Sequence, residues 1–86
     1  MPQIARFYGM VITIRWREHN PPHFHVRYAE DEASYTILPI ARLQGGLPPR
    51  AASMVVEWAA FHQQELLDNW QRARRREPLK EIDPLT

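Results

Sequence analysis

Two stretches near the N-terminus alternate between apolar and polar residues with a period of two. Because successive side chains of a β-strand point to opposite faces of its sheet, this spacing predicts two strands, each with one apolar and one polar face. The apolar positions are Met10, Ile12, Ile14 and Trp16 in the first stretch and Phe24, Val26 and Tyr28 in the second. Paired as a hairpin, the strands would share a cationic face that carries Arg15, Arg17, His23, His25 and Arg27.

Further strands are predicted on either side of this pair. Residues 4–8 form a short, largely apolar stretch, and Gly9 after it marks either a tight turn or a bulge within one longer strand. Residues 34–38 indicate a returning strand, which Pro39 ends or places at the sheet edge because proline cannot donate to a ladder. We therefore predict an α+β fold whose antiparallel sheet has three or four strands within about residues 3–40.

One long helix is predicted in the second half of the chain, over about residues 49–76. No glycine or proline interrupts residues 50–75, where apolar residues recur at helical spacing. Such a rod measures roughly 40 Å, against roughly 23 Å for a seven-residue strand. We therefore expect the helix to pack on the apolar face of the sheet and to overhang it at Trp70. The extended tail over residues 77–86, or another chain, would cover the overhang.

The 86-residue chain has a formal net charge of +1 and no cysteine. Its length suits a single domain over residues 1–86, and the lack of cysteine excludes disulfides and thiolate metal sites. The small net charge gives no general attraction to nucleic acid, so any such attraction must come from local clusters. No stretch resembles a signal peptide or is long enough to span a bilayer, and we expect a cytoplasmic protein without membrane contact.

Three of the four histidines lie around a double proline, because His19, His23 and His25 flank Pro21 and Pro22. The prolines indicate a stiff turn, since their φ angles are locked. His23 and His25 would point the same way from one strand, with His19 across the turn. Three neutral imidazoles at this spacing suit Zn²⁺, Fe²⁺ or Ni²⁺, so a divalent transition metal is one candidate cofactor.

The same histidines also suit acid–base chemistry on RNA. Imidazole titrates near neutral pH, so one of His23 and His25 could take a 2′-hydroxyl proton while the other protonates the leaving oxygen. His19 and Arg27 would assist, and the arginines of the same face would stabilise the charge on the phosphate. A third explanation stays open, in which the imidazoles hydrogen-bond to the turn or face water.

Four arginines crowd the end of the predicted helix, next to Trp70. They are Arg72, Arg74, Arg75 and Arg76. Cations at a helix C-terminus complement its dipole, which is one explanation for them. Contact with RNA or with an acidic partner protein is the other, and salt-sensitive binding would distinguish it. Arg15 and Arg17 of the polar sheet face are further candidates for such a contact.

Five segments of the chain carry a family resemblance. They are Arg-Phe-Tyr-Gly (6–9), His-Asn-Pro-Pro-His-Phe-His-Val (19–26), Glu-Trp-Ala (57–59), Leu-Leu-Asp-Asn-Trp (66–70) and Pro-Leu-Lys-Glu-Ile (78–82). In these segments the chain resembles, nearly end to end, the small bacterial family labelled domain of unknown function 4160. The family brings no established catalytic residues to transfer. Its two-gene setting resembles that of toxin–antitoxin modules, which favours a cytoplasmic protein that binds a partner and acts on RNA.

The leading hypothesis is therefore a toxin-like component of a two-gene module that acts on RNA through His23 and His25, helped by His19 and Arg27. The alternative is a non-enzymatic protein-binding module whose histidine turn is structural or holds a metal through His19, His23 and His25. In both, we expect a protein partner or a second copy of the chain to contact the overhanging helix.

Overall fold

In the computed structural model, which describes residues 3–16 and 19–86, the first half of the chain forms a five-stranded antiparallel sheet. Each strand pairs with the next one in the chain, so the sheet is a meander. Its strands are β1 (Gln3–Phe7), β2 (Met10–Thr13), β3 (His23–Tyr28), β4 (Asp31–Ile37) and β5 (Ile40–Gly45). The α+β class and the antiparallel pairing are confirmed, but the prediction of three or four strands is wrong.

Gly9 lies in the turn between β1 and β2. Tyr8 and Gly9 both have positive φ, at 47° and 80°. Two consecutive positive φ values are the signature of the tight type I′ turn that joins twisted strands. Gly9 is therefore a turn residue, and the irregular pairing in this hairpin lies elsewhere, between Gln3 and Ala5.

The fifth strand follows Pro39, where the sheet was expected to stop. Leu38 and Pro39 form the turn between β4 and β5, and the Thr36 hydroxyl donates a 2.6 Å hydrogen bond to the Pro39 carbonyl. Proline in a turn needs no N–H for the ladder, so it does not prevent the chain from pairing again. The chain then returns along β4, with Ile40 opposite Ile37.

The predicted single helix is instead two helices, α1 (Pro49–Phe61) and α2 (Gln63–Arg74). They meet at His62, whose φ of −118° and ψ of 25° depart from helical values. An unbroken rod would be roughly 40 Å long. The longest dimension of the molecule is only 33 Å. The break therefore allows both helices to pack on one small sheet.

Both helices bury an apolar stripe against the sheet. Trp58 of α1 packs on Phe7 and Phe24, with ring centroids 5.2 and 6.0 Å away. Trp70 of α2 is only 1% exposed. The expected overhang at Trp70 is therefore wrong, because α2 lies against the sheet. No helix among the described residues is both long and apolar enough to cross a membrane.

The C-terminal segment folds back over the outer side of β1. The Ile82 N–H donates a 2.8 Å hydrogen bond to the Ile4 carbonyl. The buried Asn69 amide exchanges two hydrogen bonds with the backbone of Lys80, at 2.8 and 2.9 Å. Leu79 and Leu85 pack against the core as well. One edge of the sheet is thus covered by the chain itself.

Candidate functional site

The face of the sheet opposite the helices is lined with polar residues in register. Paired residues of neighbouring strands lie on the same face. Thr13 pairs with His25, His25 with Ser34, and Ser34 with Gln44. A second line runs beside the first and consists of Arg6, Val11, Arg27 and Glu32. We call these two lines, together with Arg15, the open face.

Two shallow cavities lie on the open face, of about 260 and about 220 Å³. Arg15, His25 and Glu32 line both of them. Ser34 and Gln44 line the first, and the second extends past Arg27 to β1 and β2. The side chain of His25 therefore lines a cavity together with Arg15 and Arg27 on an accessible surface.

The arginines of the open face have no carboxylate partners in the described part of the chain. Arg6, Arg15 and Arg27 form no salt bridge there. The Nε of Arg15 is buried and has no hydrogen-bond acceptor among the described residues. An unpaired buried donor costs about 1–3 kcal/mol, so an anion that accepted from this nitrogen would relieve that cost. The open face is therefore suited to bind anions.

His23 is buried, although the alternation predicts it on the polar face of the sheet beside His25. It is 8% exposed, and its ring lies 5.2 Å from the Trp70 ring. Its Nδ1 is 2.8 Å from the Pro21 carbonyl, which only accepts, so Nδ1 carries the proton. The turn of the chain at His62 brings Trp70 onto this end of β3. His23 nevertheless contacts His25, with 5.1 Å between their rings.

The three histidines of the double-proline turn are not gathered into one group of possible metal ligands among the described residues. His19 is exposed, whereas His23 is buried under α2. Among the described residues, which include all three histidines, no group of three or more His, Asp or Glu side chains could hold a metal ion. The geometry therefore gives no support to a metal bound by His19, His23 and His25.

Arg72 and Arg75 at the end of α2 have carboxylate partners among the described residues, unlike the arginines of the open face. Arg72 donates to Asp68 at 2.9 Å and lies 3.9 Å from Glu77. Arg75 donates to Glu77 at 3.1 Å. The hydrogen bond from Arg72 lowers the pKa of Asp68, and the same bond raises the pKa of Arg72. We call this group, residues 68–77, the helix-end cluster.

Arg74 and Arg76 are the other two arginines of the helix-end cluster. Arg74 donates a 3.3 Å hydrogen bond to Asn20 of the double-proline turn. Arg76 has a φ of 57°, the left-handed conformation that commonly ends a helix. Trp70, expected as a partner contact, is buried, so it offers no surface in this conformation. Contact of this cluster with a partner stays a prediction. Arg17, the other candidate, lies outside the described residues.

Several open-face residues were missed by sequence reasoning. They are Arg6, Glu32, Ser34 and Gln44. Ser34 and Glu32 lie on β4, and the same alternation could have identified them once the turn after Tyr28 was placed. Gln44 could not be found in this way, because β5 itself was not predicted.

One family model matches this chain. The model described as "Domain of unknown function (DUF4160)" covers residues 9–71, which include β2 to β5, α1 and most of α2. The open-face residues from Val11 to Gln44 lie within the matched range. No curated protein and no solved structure matches the chain. The chain therefore belongs to the DUF4160 family.

Proposed function

We propose that the protein binds single-stranded RNA on the open face and acts as the toxin-like component of a two-gene module. The observation that supports this best is that His25 lines one cavity with Arg15 and Arg27, and that these two arginines have no carboxylate partners among the described residues. Cationic side chains that are free of carboxylates can pair with phosphates. The proposal extends to RNA because bases stack on imidazole rings and guanidinium planes.

The size and shape of the open face fit a strand of RNA. Five antiparallel strands about 4.8 Å apart make a surface roughly 20 Å wide. Thr13, Ser34 and Gln44 lie along it and offer hydrogen-bonding groups that suit riboses and base edges. Among the described residues that line the cavities, Glu32 alone is unfavourable, since its carboxylate repels phosphates. Several contacts between arginines and phosphates can together give salt-sensitive binding even though the net charge of the protein is small.

Any cleavage chemistry would rest on His25. In the proposed reaction the neutral imidazole takes the proton of a 2′-hydroxyl, whose oxygen attacks the phosphorus. The protonated ring then gives that proton to the leaving 5′ oxygen. Arg15 and Arg27 stabilise the charge on the phosphate oxygens. His23 is too buried to be the second proton carrier, so we assign it the positioning of the His25 ring that it contacts.

The test is a binding and cleavage assay with a fluorescein-labelled single-stranded RNA of about ten nucleotides. We expect saturable binding that weakens as salt rises, and cleavage that His25→Ala abolishes while binding persists. Arg74→Ala, outside the open face, is the matched control. Binding without cleavage would remove the enzymatic part of the proposal. Lack of RNA binding at low salt, with unchanged growth inhibition in cells expressing His23→Ala with His25→Ala, would overturn the whole of it.

A non-enzymatic protein-binding module is the second candidate. Its specific support is a set of exposed apolar side chains that do not line the cavities of the open face. They are Leu38, Leu43, Val56 and Phe61, which are between 41% and 77% exposed. Both functions can coexist in one component of a two-gene module, because they use different surfaces.

A further inference from the structure

The two edges of the sheet differ. The outer side of β1 is covered by the C-terminal segment through the hydrogen bond from Ile82 to Ile4. β5 is the last strand of the sheet and pairs with β4 alone, so its outer side meets no strand of the described chain. An edge strand of this kind presents main-chain donors and acceptors that another strand can satisfy.

A groove runs beside this free edge, between β5 and α1. Its volume is about 630 Å³, and its walls are largely apolar. Leu47 and Val56 line it, together with the charged residues Arg42 and Glu57. Burial raises the pKa of Tyr35, which also lines the groove, so its hydroxyl remains a hydrogen-bond donor at neutral pH. A free strand edge next to an apolar groove is the arrangement that binds extended peptides by strand addition.

Arg42 determines which occupant fits. Its side chain donates a 3.1 Å hydrogen bond to the Gly45 carbonyl and forms no salt bridge with the described residues, Glu57 included. Arg42 lies near the middle of β5. If two copies paired antiparallel through β5, their Arg42 side chains would lie roughly 5–8 Å apart on neighbouring strands. Like charges at that distance disfavour a second copy, whereas an acidic residue on a foreign strand would be attracted.

The contact area expected at the β5 edge also favours a segment of another protein over a second copy of this chain. Six residues of strand are roughly 20 Å long, and a strand pair covers about 5 Å across. That strip is small beside the roughly 800 Å² per partner of a standard stable interface. An extended segment that also fills the groove with side chains adds apolar area that self-pairing at the edge would leave exposed.

We propose that the β5 edge and the groove beside α1 bind an extended segment of a partner protein, added as a sixth strand antiparallel or parallel to β5. Alternate side chains of this segment are apolar and enter the groove near Leu47 and Val56. One acidic side chain pairs with Arg42. The groove shares no lining residue with the cavities of the open face, although Gln44 of β5 belongs to that face, and the proposal does not depend on RNA binding.

The experiment uses the full chain and a short fluorescein-labelled peptide of alternating valine and threonine with one central glutamate. Two further versions carry N-methyl groups on alternate residues, along one edge of the peptide or along the other. N-methylation removes main-chain donors from one edge only. We expect the parent peptide to bind, one methylated version to lose binding at least tenfold, and the other to retain it. Hydrogen exchange should slow at residues 40–45.

Charge reversal gives the second readout. Arg42→Glu should lower the affinity for the parent peptide and raise the affinity for a version in which lysine replaces glutamate. Arg50→Glu, outside the groove, should change neither affinity. The proposal would be overturned if both methylated versions lost affinity equally, or if the peptide slowed hydrogen exchange elsewhere on the chain and not at residues 40–45. It would also be overturned if no saturable binding were seen at millimolar peptide. A dimer of the free protein whose exchange protection covers residues 40–45 would assign the edge to a second copy and also overturn it.

Discussion

The two arginine clusters of this protein look alike in the sequence but differ in their surroundings. In the helix-end cluster, Arg72 and Arg75 bind Asp68 and Glu77 within 3.1 Å. On the open face, Arg15 and Arg27 line cavities beside His25 and form no salt bridge with any described residue. Cations that already have carboxylate partners contribute less to phosphate binding, since the partner must be displaced or tolerated. The two clusters therefore differ in whether their arginines have carboxylate partners, and this difference, rather than the number of arginines, indicates which cluster is available to an anion.

The largest expected effect is on RNA binding by the open face. Replacing both Arg15 and Arg27 by alanine should lower the affinity for a ten-nucleotide RNA on the order of thirtyfold, because two phosphates are no longer neutralised by the protein. The slope of log affinity against log salt should fall by about 0.7 for each of these phosphates. Fluorescence anisotropy over a salt series measures both quantities.

The matched control for this prediction removes the same charge from the other cluster. Arg72→Ala with Arg75→Ala should change the RNA affinity by less than about threefold and leave the salt slope nearly unchanged. If the control weakened binding more than the open-face pair did, the comparison between the clusters would be reversed.

The second expected effect concerns the boundary of the open face. His23→Ala should lower the free energy of unfolding by about 1–2 kcal/mol, because it removes a buried ring from Trp70 and leaves the Pro21 carbonyl without its donor. Urea unfolding followed by tryptophan fluorescence measures the loss. His25→Ala, two residues away and more exposed, is the control and should cost less. If both substitutions lowered the free energy of unfolding equally, the distinction between a buried His23 and a more accessible His25 would be contradicted.

A smaller effect is expected from the acidic member of the open face. Glu32→Gln should tighten RNA binding by about threefold at low salt, because it removes a carboxylate from the cavities that Arg15 and His25 line. The gain should shrink as salt screens the charge. Glu77→Gln, in the helix-end cluster, serves for comparison and should have no comparable effect on RNA. Weaker binding by Glu32→Gln would show that this carboxylate contacts RNA favourably.

The smallest effect is the pH dependence of the helix-end cluster. The hydrogen bond from Arg72 holds the pKa of Asp68 below its ordinary value of 3.8. A carboxyl with a lower pKa in the folded state stabilises the protein above the unfolded value and loses that contribution as the pH falls through the folded one. Asp68→Asn should therefore unfold slightly more easily than the wild type at neutral pH.

In strong acid the difference between Asp68→Asn and the wild type should vanish. The loss at neutral pH should be smaller than that of His23→Ala, because water screens an exposed ion pair between residues four apart. Urea titrations at neutral pH and at a strongly acidic pH measure it. A difference that grew as the pH fell would contradict the assigned direction of the pKa shift.

The period-two alternation was enough to place part of the open face, because it depends only on which side of a strand each residue occupies. Arg15, His25 and Arg27 therefore lie where the alternation predicts them. His23 follows the same alternation and is nevertheless buried, since its burial depends on Trp70, which is far away in the chain. To predict this contact, one must know that the helix breaks at His62, where no glycine or proline marks the break.

The strand count failed for a related reason. Pro39 suggested the end of the sheet, although in a turn it requires no ladder hydrogen bond. β5 has few buried residues, so its sequence lacks the apolar alternation that reveals a half-buried strand. The groove that we assign to a partner was therefore not visible in the sequence. The free edge that defines it belongs to the strand with the weakest pattern.

The most direct test of the central claim follows the arginine Nε–Hε signals by NMR while single-stranded RNA is added. Each such signal reports on one guanidinium group, so the two clusters are observed in the same titration. We predict that the signals of Arg15 and Arg27 shift as the RNA saturates the protein, while those of Arg72 and Arg75 stay in place. Shifts confined to Arg72 and Arg75, or no shift of any arginine, would contradict an RNA-binding open face.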